Sequence, residues 1–272
     1  FGPEKSNVPN RATMVTVNAR PLRICSRAAS RISSQSAAKA IVRSRGTVVA
    51  ALMVKRGEAD AMLCGIVGKY QGKLKHVIDV LGIDPAVSAV SAMSVVISDK
   101  GPLFFTDTHV QNNPDAGQIA ETALQATFRM KLFGITPKVA LVCHSNFGSS
   151  EAPSARKMRE ALQLILKRAP RLEVEGEMHV DAALKPEIRE RLFPSSRLTG
   201  AANLLVMPDL DAANAAYNLT RVMTDGIGIG PILMGMAKPA RGTMASPQIT
   251  PSWAGAPHTP RSGPMASAAG RR

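Results

Sequence analysis

From Thr47 to Met236 the chain repeats one pattern: a short apolar run, a turn, then a longer segment with apolar residues at helical spacing. This alternation limits the fold more than any other feature. A strand followed by a helix and another strand folds with a right-handed crossover, so repeated units build a mostly parallel sheet covered by helices on both faces. "TVVAALMVKRGEAD" reads as a helix end stopped by Gly57, which suits a left-handed cap. "ADAMLCGIVG" reads as a buried strand, and Leu74, Val77, Ile78 and Leu81 give "GKLKHVIDVLGI" a helical stripe. "VSAVSAMSVVIS" and "GPLFFTDTHV" are strand-like. "NPDAGQIAETALQATFRMKLFGI" is the longest helix, with Pro114 near its start and Gly134 after its basic end. Further strands in "KVALVCHS", "RLEVEGEMHVDAAL", "NLLVMPDL" and "GIGIGPILMGM" alternate with helices in "APSARKMREALQLILKRAP", "KPEIRERLF" and "DAANAAYNLTRVMT". The expected fold is a three-layer α/β/α arrangement with a mostly parallel sheet.

Segments of another kind flank this body. Residues 1–57 hold 11 Lys and Arg against one acid, Glu4; residues 241–272 hold four Arg and no acid; residues 58–240 hold 19 of each sign. The formal charge of +14 therefore belongs to the ends of the chain. Solvated tails account for such ends better than a shaped nucleic-acid site does. Residues 1–40 and 241–272 are expected to be disordered, around a folded domain over 41–240, with no specific nucleic-acid partner. No apolar run reaches the roughly 18 residues of a membrane span, so no membrane partner is expected. Cys25, Cys64 and Cys143 lie far apart with no CxxC, which argues against a zinc ribbon or a disulfide framework and fits a reducing, cytoplasmic setting.

On a sheet of this kind ligands bind beyond the C-terminal ends of strands. Three places qualify: "HSNFGSS" after Val142, "HVDAAL" around Asp181, and "MPDLDAAN" after Val206. In the first, the N–H groups of Gly148 and Ser149 and the hydroxyls of Ser145 and Ser149 form a candidate cradle for a phosphate or carbonyl oxygen at a helix start. The bland alternative is a plain turn and cap. His144 and Ser145 are neighbours and point apart, which does not make a nucleophile and base. Asp107, Asp181 and Asp209 each end or follow a strand, as ligand groups, helix caps or loop anchors, and Asp211 is the expected helix cap. Lys69, Lys73 and Lys75 cluster beside the presumed cleft, as attractors of a phosphorylated ligand or as a solvated helix face. His76, His109 and His179 are isolated, no metal-ligand spacing occurs, and neither GxGxxG nor GxxxxGK[ST] is present.

"EMHVDAAL", "ANLLVMPDLDAANAAYNL", "GPILMGMAKP" and "KVALVCHSNFGSS" occur in the order of the phosphate acetyl/butyryltransferase motifs, and residues 41–240 resemble that family. "GEADAMLCGIVGKYQGKLKHVIDVLGI" most resembles one branch, the C-terminal transferase-like region of bacterial NADP-dependent malic enzymes. The resemblance implies two α/β/α subdomains around a cleft for acyl-CoA and phosphate. It also implies that the first subdomain, which usually begins well before Thr47, is incomplete here. Candidate acyl-CoA or phosphate ligands are Lys75, Ser145, Gly148, Ser149, Asp181, Asp209 and Asn214.

Three departures from the transferases argue against turnover, and no catalytic residue is assigned. Lys75 stands where an arginine is typical, keeping charge without the planar fork. Val222 occupies the place of a helix arginine, with Arg221 one residue early. "ARGTMASPQITPSW" follows Pro239 in place of the transferases' Ser-Arg run. The break after Pro239 is what a shifted reading frame or misdrawn gene produces, and the first forty residues share that character. The resemblance implies acetyl-CoA as a regulatory ligand, the malic-enzyme catalytic domain as partner, and a homo-oligomer. NADP and a divalent metal are expected only in the upstream malic-enzyme part, leaving no cofactor or metal for this region. An active phosphate acyltransferase is the alternative.

Overall fold

The computed structural model describes residues 14–16, 45–64 and 70–237. The elements run β1 (Met14–Thr16), α1 (Gly46–Arg56), β2 (Ala61–Leu63), α2 (Tyr70–Leu81), β3 (Ser91–Ser98), β4 (Gly101–Thr106), α3 (Ala116–Leu132) and β5 (Val139–Val142). They continue with α4 (Pro153–Arg168), β6 (Val174–Met178), α5 (Val180–Leu184), α6 (Pro186–Leu192), β7 (Leu204–Val206), α7 (Leu210–Met223) and β8 (Ile227–Met234). The disorder expected over 1–40 and 241–272 lies outside the described residues, except for Met14–Thr16, which pairs in parallel with Ala61–Leu63.

Among the described residues six strands form the main sheet, in the order β6-β5-β7-β4-β3-β8. β6, β5, β7 and β4 are mutually parallel, whereas β3 runs antiparallel to both β4 and β8. The sheet is thus mixed and mostly parallel, as the strand–helix alternation requires. The antiparallel part follows from "ISDKGP": the four-residue stretch Ser98–Gly101 is too short for a crossover, so β3 and β4 form a hairpin.

Strand residues alternate between two cores. Phe104, Val139, Leu141, Leu204 and Val206 pack on one face with Ile119, Ala123 and Met130 of α3 and Met158 and Ile165 of α4. Phe105, Ala140, Val142 and Leu205 pack on the other with Ala182 and Ala183 of α5 and Ala213 and Tyr217 of α7. This period of two, apolar on both sides, is why the strands read as continuous apolar runs. A smaller core joins α1, β2 and α2 through Ala51, Val54, Met62, Leu74 and Val77, and reaches the sheet at Leu233 and Met236.

Helix ends follow local chemistry. Gly57 closes α1 at φ 76°, its N–H donating to the carbonyls of Met53 and Val54. Asp115 and Gln118 form a reciprocal capping box at the start of α3. Two boundaries differ from the sequence reading. Asp209, not Asp211, caps α7, its side chain accepting from Ala212 N at 2.9 Å. Both aspartates precede "AANAAY", but the helix begins at Leu210, and only Asp209 keeps the extended backbone of a cap. β6 ends at Met178, so Asp181 belongs to the short helix α5 rather than to a strand.

Candidate functional site

β4 and β7 are adjacent and parallel, so their C-terminal ends deliver two loops side by side. The β4 loop is wound around Asp107. Its buried carboxylate accepts from His109 N at 2.9 Å, Val110 N at 3.0 Å and Gln111 N at 3.1 Å. Burial raises the Asp107 carboxyl to about 6 despite these bonds. The β7 loop carries Asp209, and Leu210 N donates to Asn112 O at 3.1 Å, tying the two loops together. Lys157 of α4 reinforces the tie, donating to Asn113 Oδ1 and Pro208 O, both at 2.8 Å. Burial lowers the Lys157 ammonium, and Asp209 and Asp115 oppose that shift.

Where these loops meet the start of α2 there is a cleft of about 320 Å³, lined by Tyr70, Gln71, Thr108, His109, Leu210, Asp211, Asn214 and Ala215. Asn214 Nδ2 donates to Thr108 O at 3.2 Å, and Asn214 Oδ1 accepts from Asn218 Nδ2 at 3.0 Å. The Tyr70 and His109 rings meet with centroids 5.2 Å apart, tilted by 54°. The Tyr70 hydroxyl is buried without a hydrogen-bond partner. Burial, then the charges of Asp107 and Cys64, hold that phenol well above its usual range.

His109 ends a buried chain of hydroxyls. Its Nδ1 lies 2.8 Å from Thr108 Oγ1, which lies 2.6 Å from Ser94 Oγ, and both hydroxyl residues are fully buried. Ser94 Oγ has no other hydrogen-bond partner among the described residues. If Nδ1 carried the proton, Thr108 would donate to Ser94, and the Ser94 O–H would be a buried donor without an acceptor, at a cost of about 1–3 kcal/mol. The opposite order satisfies every hydrogen: Ser94 donates to Thr108, and Thr108 donates to Nδ1. The proton then sits on Nε2, which makes no hydrogen bond among the described residues, on a half-buried ring that lines the cleft. Burial lowers the His109 imidazole below its ordinary range, favouring the neutral ring.

The Ser145 loop is built differently from its sequence reading. Glu177, fully buried on β6, points its carboxylate into the loop. Its Oε1 accepts from Ser145 Oγ at 2.7 Å, Gly148 N at 2.9 Å and Arg159 Nη1 at 2.9 Å. Ser149 Oγ accepts from Asn146 N at 3.0 Å. An internal carboxylate therefore uses two of the donors expected to hold an external anion, Ser145 Oγ and Gly148 N, while Ser149 N donates to Asn146 O at 3.1 Å. Burial pushes the Glu177 carboxyl up, but the hydrogen bonds from Ser145, Gly148 and Arg159 outweigh it and hold it below its ordinary value. His144 bonds Ser150 and Ser154 rather than Ser145.

Of the seven expected ligand residues, the structure places Asn214 in the cleft and Asp209 at its edge as a helix cap. Ser145, Gly148 and Ser149 gather in the Glu177 loop. Asp181 is exposed on α5, its carboxylate accepting from the adjacent Ala182 N. Lys75 stands on the outer face of α2, 76% exposed and 3.6 Å from Asp79, and does not line the cleft. Lys69 lies outside the described residues. Val222 is exposed, and Arg221 stacks over the Tyr217 ring at 5.9 Å. Tyr70, Gln71, Thr108 and His109 were not expected. The available signal was His109 two residues past Asp107 at a strand end. Among the described residues no group of His, Cys, Asp and Glu is placed to hold a metal ion, and no helix is long and apolar enough to cross a membrane.

Comparison with known proteins agrees with this architecture. The chain is 50% identical over 214 residues to an NAD-dependent malic enzyme of Rhizobium meliloti, covering 79% of this chain and 28% of that one. It is 48% identical over 209 residues to an NADP-dependent malic enzyme of Escherichia coli, covering 76% and 27%. It thus spans just over a quarter of the length of these relatives. A phosphotransacetylase from Streptococcus pyogenes superposes with a TM-score of 0.72 at 28% identity, over 81% of this chain and 67% of that one. The family model described as phosphate acetyl/butaryl transferase matches residues 6–247, and the chain belongs to that family.

Proposed function

We propose that this chain is the acyl-CoA-binding regulatory module of a malic enzyme and has no transferase turnover of its own. The observation that carries the reading is the 50% identity to a malic enzyme over 28% of that enzyme's length. A module of that size, attached to an oxidoreductase, needs only binding that differs between two states to act as a regulator, with typical coupling of about 1–3 kcal/mol. Two features support the absence of turnover. The described cleft lining contains Asp211 and neutral groups but no Lys or Arg, whereas acyl transfer to an anionic phosphate relies on cationic stabilisation of developing charge. The loop that would cradle an anion is filled by Glu177. The malic-enzyme catalytic domain, with its NADP and divalent metal, is the proposed partner, in a cytoplasmic homo-oligomer. The exposed side chains of Leu219, Val222, Met223 and Ile227 support self-association.

The alternative is an active phosphate acyltransferase, favoured by the superposition on a phosphotransacetylase. One experiment separates the two. Acetyl-CoA is titrated calorimetrically into the purified chain, and acetyl phosphate formation from acetyl-CoA and phosphate is measured on the same sample. Saturable binding with turnover no higher than a protein-free control is expected. Phosphate-dependent turnover clearly above that control selects the alternative, and absence of binding removes both.

A further inference from the structure

We infer that His109 is the specificity-determining donor of the cleft, its Nε2–H hydrogen-bonding the thioester carbonyl of the bound ester. The inference rests on the acyl-CoA reading above and says which part of that ligand the cleft recognises. The buried Ser94–Thr108 chain orients the imidazole and leaves Nε2 as a donor with no partner among the described residues. The other polar lining groups are less available. Asn214 is used on both its amide nitrogen and its oxygen, Thr108 Oγ1 is buried in the chain, the Tyr70 hydroxyl is buried, and Gln71 Nε2 donates to His109 O at 3.5 Å.

The electrostatics of the wall fit a neutral acceptor. Asp211 is the charged residue among the described lining, and it is exposed at the start of α7. A phosphate dianion beside that carboxylate, with no described lining cation, meets like charge at short range. A carbonyl oxygen carries no net charge and needs one donor, which His109 supplies. The Tyr70 ring flanks the imidazole and gives the acyl and pantetheine methylenes an apolar surface. The cleft therefore selects a neutral acyl thioester over free CoA and over inorganic phosphate.

The test compares acetyl-CoA with CoA by calorimetry on the full chain and on His109→Leu and His109→Gln. Wild type is expected to prefer acetyl-CoA roughly three- to tenfold, the range of one neutral hydrogen bond. His109→Leu should reduce acetyl-CoA affinity to that of CoA, and saturable CoA binding by the variant shows that the cleft is intact. His109→Gln retains a side-chain N–H and should keep most of the preference. In wild type, long-range ¹H–¹⁵N spectra should show the Nε2–H tautomer of His109, with a shift on adding acetyl-CoA that CoA does not reproduce. That measurement decides the point even if the leucine variant fails to fold. Unchanged preference in His109→Leu, an Nδ1–H tautomer, or displacement of acetyl-CoA by millimolar phosphate overturns the inference and leaves the acyl-CoA reading standing. Failure of wild type to bind either ligand overturns the acyl-CoA reading, and this inference with it.

Discussion

Replacing Glu177 by glutamine tests whether the Ser145 loop is organised by an internal anion. Three donors converge on Glu177 Oε1: the Ser145 hydroxyl, the Gly148 amide and the Arg159 guanidinium, all within 2.9 Å. Glutamine preserves shape and the accepting oxygen, and its amide nitrogen takes the place of Oε2, which is buried without a hydrogen-bond partner, so one unpaired buried group replaces another and the main change is the lost charge. The Ser145 and Gly148 bonds pass from charge-assisted, about 1.5–3 kcal/mol, to neutral, about 0.5–1.5 kcal/mol, a loss of roughly 1 kcal/mol apiece, while the Arg159 bond keeps its charged donor and loses the ion-pair attraction. Arg159 is not orphaned, because it also bonds Glu151 Oε1 at 3.0 Å and Ser150 O at 2.9 Å. Relief from burying a charge returns part of the loss. The expected net cost is about 2 kcal/mol, or about 4–8 °C in Tm at 2–4 °C per kcal/mol for a body of this size. Urea unfolding of both proteins across pH measures it. The Glu177 carboxyl is held below its ordinary value of 4.5, so its contribution is complete above that value and is lost as pH falls through the lower folded value. The gap between wild type and Glu177→Gln should therefore be level from neutral pH to about pH 5 and close in stronger acid. A gap under about 0.5 kcal/mol at pH 7, or one that widens on acidification, refutes the reasoning.

Two further outcomes follow from buried charges. Arg189 is fully buried and donates to Ala182 O at 3.1 Å, Leu198 O at 3.1 Å and Gly200 O at 2.7 Å. Arg189→Met should cost about 3 kcal/mol or more by leaving those carbonyls without their charged donor, read as a lowered urea midpoint. Asp107 behaves in the opposite sense to Glu177. Its carboxyl is raised from 3.8 to about 6, so its protonated form is favoured by folding and its burial lowers stability as pH rises from about 4 to 6. Asp107→Asn keeps an acceptor for the His109 and Val110 amides and should flatten that part of the profile by about 2–3 kcal/mol. Parallel stability curves for the two proteins would exclude the effect.

The architecture was legible because apolar burial is written locally. Continuous apolar runs such as "KVALV" require a strand covered on both faces, and the stripe Leu74, Val77, Ile78 and Leu81 requires a helix with one buried side. The family motifs added the order of the elements. What failed was whatever depends on residues distant in the chain. Ser145 and Gly148 look like an open anion cradle until β6 sets beside β5 and brings Glu177 into it from about thirty residues away. An acid in "VEGEM" reads as solvent-facing, because nothing nearby announces three donors. His109 was set aside for lacking a ligand partner at metal spacing, yet its neighbours are Tyr70 on α2 and Ser94 on β3. Asp211 stands closer to "AANAAY" and reads as the cap, and only the start of α7 at Leu210 gives that role to Asp209.

The order of the strands also sets a schedule for synthesis. β3 is the first strand of the main sheet to leave the ribosome, and one of its two partners, β8, is the last. Ser91 pairs with Met234, roughly 140 positions later. At about 5–20 residues per second, some 7–30 s pass between them. Throughout that interval the outer edge of β3 carries unpaired amides and carbonyls along a strand that bears Met93, Val95, Val96 and Ile97, the combination that recruits strands from other chains. β4 can form its hairpin with β3 within a second of synthesis and protects one edge, but nothing between Lys100 and Asp225 substitutes for β8 on the other. A nascent chain stalled or cut before Ile227 therefore presents an open, sticky sheet edge, and chaperone contacts with this region should concentrate on β3.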